Sequence, residues 1–240
     1  MESPDATYRK AQSLYTEGKD PAKDAEAFAL FREAADAGDP RAEYMLGQMY
    51  EKGFGAEQDY KEASARYLKA AAAGNADAMF SEGLLHYFGR GTDIDYAGAF
   101  GWFLKAADAG SVKAMFNLGV MYEQGIGTEK DPQKALEWYG KAAEKDYDKA
   151  CYNIGMMYRT GHGVQKDDAE SFRWFLKAAE MGMPKAIFNV GLSYYRGQGV
   201  PQSDSEAMKW FVKGEKLGHT KSANMANILR NQHRIVTIGP

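Results

Sequence analysis

An all-α fold, a right-handed superhelical solenoid of helix-turn-helix repeats, is what this sequence predicts, and three observations predict it. The stretch at residues 112–147 recurs 36 residues on at 148–183, and again at 184–219. A fixed period of this size marks a repeat array, because one helix pair cannot bury its apolar face alone. Glycine recurs at set places: Gly53, Gly89, Gly125, Gly161 and Gly197, each followed two residues later by another. Aromatic and small residues also keep one phase, with Tyr44, Phe80, Phe116, Tyr152 and Phe188 in one column and Ala42, Ala78, Ala114, Ala150 and Ala186 in another.

Taken in order, residues 1–4 read as a disordered lead. Residues 5–39 read as a degenerate N-terminal capping repeat whose loop, GKDPAKD, lacks the paired glycines. A terminal repeat is expected to be atypical because one of its faces meets solvent. Five full repeats follow at 40–75, 76–111, 112–147, 148–183 and 184–219. Residues 220–240 read as a C-terminal capping helix over 220–232 and a short, partly apolar tail, RIVTIGP, with folding back and staying loose equally open. Each repeat reads as two helices. The first begins after Asp39, Asn75 or Ser111, all N-cap residue types, and ends at the first glycine, which suits the left-handed conformation of a helix terminus. The second begins after Asp59, Asp95, Asp131, Asp167 or Ser203. Glu62, Glu170 and Glu206 stand three residues further on and predict capping boxes. Gly47, Gly83, Gly119, Gly155 and Gly191 lie inside the first helices, where glycine costs about 1 kcal/mol against alanine. Repeating that cost implies that a neighbouring helix approaches too closely for a side chain. Trp102, Trp138, Trp174 and Trp210 recur on the second helices, and the aromatic and methionine columns read as core.

Composition narrows the function. The chain is 45% apolar and 26% charged, with a net charge of −3, which argues against a nucleic-acid solenoid that must neutralise phosphates. Mean hydropathy is −0.55 and no long apolar run occurs, so no membrane insertion is expected. The one cysteine, Cys151, allows no internal disulfide and points mildly to a reducing compartment, hence the cytoplasm. A periplasmic or secreted protein shorn of its signal segment would read the same. Chemistry-bearing motifs are weak. Gly161-His162-Gly163 lacks the strand and the Lys-Ser/Thr of a phosphate loop. His86, His162, His219 and His233 lie in different repeats without metal-ligand spacing. His86 fills a tyrosine column and reads as packed core, Cys151 reads as a small buried residue, and no Ser/His/Asp or paired-carboxylate constellation converges. No enzyme, metal or cofactor is expected.

The repeat A-x-[YF]-N-[LIV]-G-x-x-Y-x-x-G-x-G-x-x-x-D-x-x-x-A-x-x-W-[YF]-x-K-A-A resembles the Sel-1-like repeat, a relative of the tetratricopeptide repeat. Residues 112–147 carry it almost completely, and the resemblance covers 40–219 well and both ends weakly. Departures are local: Arg66 stands for the tryptophan, His86 for the tyrosine, and Gly214-Glu215 for Ala-Ala. The resemblance implies an α/α solenoid that serves as an adaptor or scaffold with no catalytic residues of its own.

Subtracting core positions from the first helices leaves one stripe at i, i+4, i+7 and i+11, a single helical face. Across repeats it forms rows: Lys113, Lys149, Lys185 and Lys221; then Asn117, Asn153 and Asn189; then Val120, Met156, Leu192 and Ile228. An asparagine offers a donor and an acceptor, which matches an extended peptide backbone. Lysines suit carboxylates, and the apolar row suits side chains. The resemblance adds that in tetratricopeptide domains this asparagine holds peptide backbone or a terminal carboxylate. The plainer reading has Asn-[LIV]-Gly bonding to the next helix and the lysines simply solvated. Met45, Leu84 and Phe88 form a separate apolar group, either a pocket or a face covered by the first repeat. The expected partner is therefore a protein or peptide held along the first helices, with the chain itself a monomer. The rival expectation is a structural homo-oligomer without a groove peptide.

Overall fold

The computed structural model describes residues 3–237, with side chains through Gln232. Among them are thirteen helices and no strand. The chain divides into two compact units after Lys130, between the two helices of one repeat. The first unit holds α1 (Pro4–Leu14), α2 (Pro21–Asp36), α3 (Pro40–Lys52), α4 (Tyr60–Ala72), α5 (Ala76–Phe88), α6 (Tyr96–Asp108) and α7 (Val112–Gln124). The second holds α8 (Pro132–Ala143), α9 (Asp148–Thr160), α10 (Asp168–Glu180), α11 (Pro184–Arg196), α12 (Asp204–Lys216) and α13 (Thr220–Thr237). Within each unit every helix packs against the next, as the repeat pattern predicts.

The mid-helix glycines have a direct cause. A β-carbon on Gly47 would lie 2.5 Å from the Tyr67 ring, one on Gly83 2.6 Å from Phe103, and one on Gly191 2.6 Å from Phe211. Tyr67, Phe103, Tyr139, Phe175 and Phe211 are fully buried aromatics at one position of the second helices, as is Phe31 on α2. The ring occupies the space a side chain would need, and its burial outweighs the helix cost of glycine. The tryptophan one residue earlier differs from the expected core role. Trp102, Trp138, Trp174 and Trp210 are only half-buried. Lys105 lies 4.0 Å above Trp102, Lys141 3.7 Å above Trp138 and Lys213 4.8 Å above Trp210. The recurring Trp-[Tyr/Phe]-x-Lys is thus one core ring plus a cation laid over a surface ring.

The first glycine of each pair is the left-handed C-cap, with φ of 71° at Gly53 and 72° at Gly161. The second does more than loosen the turn. Gly163 has φ 74°, and a β-carbon there would sit 2.6 Å from Pro132, at the start of the preceding repeat's second helix. Caps are as read at Asp39, Asn75 and Ser111, but the capping boxes lack their reciprocal half. Asp59 and Asp167 accept from the N–H of Glu62 and Glu170 at 3.1 and 2.9 Å. The cap residues' own N–H groups donate instead to the carbonyls of Tyr50 and Tyr158, at 3.0 and 2.9 Å. The glutamates turn to cations one turn on, Glu206 to Lys209 at 2.6 Å and Glu170 to Arg173.

Both ends differ from the reading. Ser3 accepts from the N–H of Ala6 and caps α1, which starts at Pro4, so residues 3 and 4 belong to a capped helix and not to a loose lead. Where the first repeat lacks paired glycines, Asp24 holds the turn by accepting from Thr16 N–H, Thr16 hydroxyl and Gly18 N–H at 2.7, 2.9 and 2.7 Å. At the other end α13 continues to Thr237, past the expected stop at 232. How the tail's side chains are placed lies outside the described residues.

Candidate functional site

In the second unit the first helices α9, α11 and α13 open onto a cavity of about 590 Å³. Its lining includes Tyr152, Arg159, Lys185, Phe188, Asn189, Leu192, Arg196, His219 and Lys221. Periodicity puts them there. Lys185, Asn189, Leu192 and Arg196 fall on one face of α11 at successive turns. Four cations meet one carboxylate, Asp168, and Lys166 lies 3.7 Å from that carboxylate. His219 lines the same wall with its Nδ1 2.9 Å from Ser222 Oγ. Burial, then Lys221 and Lys185, hold its pKa below the usual value of 6.5, so it stays neutral at pH 7.

Arg159 is the best-placed of these groups. It donates to Asn189 Oδ1 at 3.0 Å and to Met156 Sδ at 2.8 Å, and its guanidinium lies 5.1 Å from the Phe175 ring centre. Asn189 is only 6% exposed, so its oxygen is committed to Arg159 and braces that side chain. Met156 bears on the cavity only through this contact with Arg159. Of the sequence-read residues, Lys185, Asn189, Leu192 and Lys221 therefore come together in the cavity. Lys149 is exposed and Asn153 half-buried on α9, outside the lining. Arg159 escaped sequence reading because its column holds Glu51, Tyr87, Glu123 and Tyr195, with no repeating signal.

In the first unit Asn117 and Val120 line a small cavity of about 110 Å³ with Leu84, Tyr87, Phe88 and Phe103. Phe88 is 53% exposed at its edge. Met45 packs instead with the N-terminal core around Phe31 and Leu46, so the three-residue apolar group is split: Leu84 and Phe88 line a pocket, and Met45 is covered. Lys113 is exposed and lines neither cavity.

A further polar cluster, which the sequence columns do not bring together, converges between α4 and α5. Ser64 donates to Glu82 Oε1 at 2.9 Å, and His86 Nε2 lies 3.4 Å from the same oxygen. Glu82 is 3% exposed, and burial raises its pKa against the lowering effect of Ser64 and His86. The signal was present in the columns: Glu82 stands where other repeats have Leu46, Leu118, Ile154 and Val190, and Ser64 stands where they have Phe100, Leu136, Phe172 and Met208. His86 is one wall of a cavity here and not simply packed core. Cys151 is buried, and burial pushes its thiol pKa up, opposite to what a nucleophile needs. Among the described residues no group of three or more His, Cys, Asp or Glu is placed to hold a metal ion, and no helix is long and apolar enough to cross a membrane.

The pattern of the Sel1 repeat matches six consecutive times, over residues 4–39, 40–75, 76–111, 112–147, 148–183 and 184–219. The chain belongs to the Sel1 repeat family. Proteins built of Sel1 repeats generally mediate protein–protein interaction, and the scaffold is generally non-enzymatic. The solved structure of c5321, a protective antigen of uropathogenic Escherichia coli with an SLR fold, is 30% identical with a TM-score of 0.84. It matches 97% of this chain, which spans 52% of that protein's length. A Sel1 repeat protein from Oxalobacter formigenes is 31% identical with a TM-score of 0.77, over 92% of this chain and 86% of its own. The immunity protein Pa5087 of Pseudomonas aeruginosa, at 17% identity and a TM-score of 0.52 over 94% of this chain and 81% of its own, shares the fold alone. No curated protein matches this Sel1 repeat chain.

Proposed function

We propose that the chain is a non-enzymatic adaptor that holds an extended, acidic segment of a protein partner along the first helices of its second unit. The observation that carries this reading is the cavity bearing Arg159, Lys185, Arg196 and Lys221 on three successive first helices, with Leu192 and Phe188 as apolar floor. Cations at helix-to-helix spacing suit carboxylates at intervals along a strand-like peptide, and the guanidinium of Arg159 is already oriented by Asn189 and Met156. The adaptor works as a monomer in a reducing compartment, where buried Cys151 remains a thiol.

The test compares acidic, neutral and basic peptides of one length by calorimetry, with variants of the full chain. The acidic peptide binds best and weakens as salt rises. Arg159→Ala and Lys185→Ala each weaken it about tenfold or more, in the range of a charged contact. Changing Asn117, Asn153 and Asn189 together to Ala costs most of its affinity through the loss of the Arg159 brace. Equal binding of the basic peptide, or unchanged affinity in these variants, sinks the proposal. Light scattering at rising concentration checks the monomer.

A further inference from the structure

The junction of α4 and α5 carries a buried carboxylate, Glu82, where the equivalent junctions have Leu46, Leu118, Ile154 and Val190. At three of the equivalent junctions the two columns are rings that meet edge-on: Phe28 with Tyr50 at 5.2 Å, Phe100 with Tyr122 at 5.3 Å and Phe172 with Tyr194 at 5.4 Å between centroids; Leu136 and Met208 fill the first column at the others. Here Ser64 and His86 take the two ring positions, and Glu82 takes the aliphatic position between them. The other repeats act as an internal control. They fold the same way without the polar group.

The three side chains open a cavity of about 270 Å³, lined also by Tyr60, Lys61, Leu85, Arg90, Gly91 and Thr92. Ser64 and His86 both address Glu82 Oε1, while Glu82 Oε2 is buried and has no hydrogen-bond partner. A buried carboxylate oxygen without a donor is rare in folded proteins and invites a donor from outside. His86 Nδ1, also without a hydrogen bond, lies 3.7 Å from Asp95 on the opposite side. The mouth is basic. Arg90 donates to Glu51 at 2.9 Å and lies 5.1 Å from the Phe88 ring, and Lys61, with an exposed side chain, lines the same cavity. The cavity thus has an acidic floor and a basic rim. Its volume falls just below the ~300–1,000 Å³ of sites for drug-sized ligands, so the guest is smaller.

We infer that this junction is a binding site for a small zwitterion of the α-amino-acid type, its ammonium group held by Glu82 and its carboxylate turned toward Lys61 and Arg90. The ammonium supplies the donors that Glu82 Oε2 lacks and compensates the buried charge. Ser64 and His86 both hold Oε1, which leaves Oε2 as the oxygen still in need of a donor. Ser64 bonds to Glu82 and not to His86, so no activated nucleophile is assembled and the site binds without reacting.

The test titrates the full chain with glycine, methylammonium and acetate, following Tm and the ring resonances of His86. Glycine raises Tm and shifts those resonances, methylammonium does so about tenfold more weakly, and acetate does neither. Glu82→Gln, close in size, loses the response. Lys61→Met weakens glycine several-fold and leaves methylammonium unchanged. The triple change Ser64→Phe, Glu82→Leu and His86→Tyr, which restores the side chains of the other repeats, melts higher than the wild type and ignores all three probes. The inference is overturned if acetate acts as strongly as glycine or if Glu82→Gln responds like the wild type. It is equally overturned if glycine has no effect, or if the triple variant melts lower, which would make the cluster part of the core.

Discussion

Asp24 and Glu82 are two carboxylates in the same unit, buried to nearly the same depth at 0% and 3% exposure, and they behave oppositely. Burial is the largest influence on each and raises both pKa values. Around Asp24 it is outweighed by the N–H groups of Thr16 and Gly18 and the Thr16 hydroxyl, so the net shift is downward. Around Glu82 one oxygen has no donor, Ser64 and His86 do not make up the difference, and the net shift is upward. Depth does not decide what a buried charge does; the count of donors does. Asp24 fastens a turn that lacks its glycines. Glu82 is left partly unmet, which is why it reads as a site.

The largest way to break this contrast is Asp24→Ala. Three donors at one turn then lose their acceptor, and the unfolding free energy falls by about 2–4 kcal/mol in urea titration. Glu82→Ala, by comparison, removes a group that the equivalent junctions do without and costs less. A smaller loss for Asp24→Ala than for Glu82→Ala would reverse the contrast.

A finer separation comes from pH. The folded-state pKa of Asp24 lies below its ordinary 3.8, so its contribution is present above that value and is lost as pH falls through the folded value. The folded-state pKa of Glu82 lies above 4.5, so its contribution is fully present below 4.5 and is lost as pH rises through the raised value. Stability of the wild type relative to Asp24→Asn therefore shrinks as pH drops below about 4. Relative to Glu82→Gln it grows as pH drops from 7 toward 4.5. Parallel curves for the two variants would show that the donors around them do not matter.

Much of this molecule is legible in its sequence because repetition makes each column its own control. The helix pairs, the mid-helix glycines and the caps at Asp39, Asn75 and Ser111 follow from residue type at fixed spacing. Only half of each capping box is legible, since whether a glutamate folds back on its cap depends on the carbonyl that the preceding helix brings to that N–H. Within the candidate groove, Lys185, Asn189 and Leu192 were visible as rows, but the role of Asn189 was not. That role depends on Arg159, thirty residues away and outside any repeating column. Ser64, Glu82 and His86 were visible as departures. Each looked minor alone, and only the packing of α4 on α5 shows that the three departures meet.

Charges left in water complete the comparison from the other side. Lys141 is exposed and stands 3.7 Å above the Trp138 ring, with Lys105 and Lys213 repeating the arrangement on Trp102 and Trp210. Water already solvates these ammonium groups, so the ring adds little that the solvent does not, and each pair is worth about 0.5–1 kcal/mol. Lys141→Met keeps the aliphatic cover of the indole and removes only the charge, which isolates that small term. The expected loss, read from urea titration, is at the low end of this range. A loss of the size expected for Asp24→Ala would mean that the cation, and not the stem beneath it, holds Trp138 in place. The repeated Lys would then rank with the glycines and buried rings as a determinant of the fold.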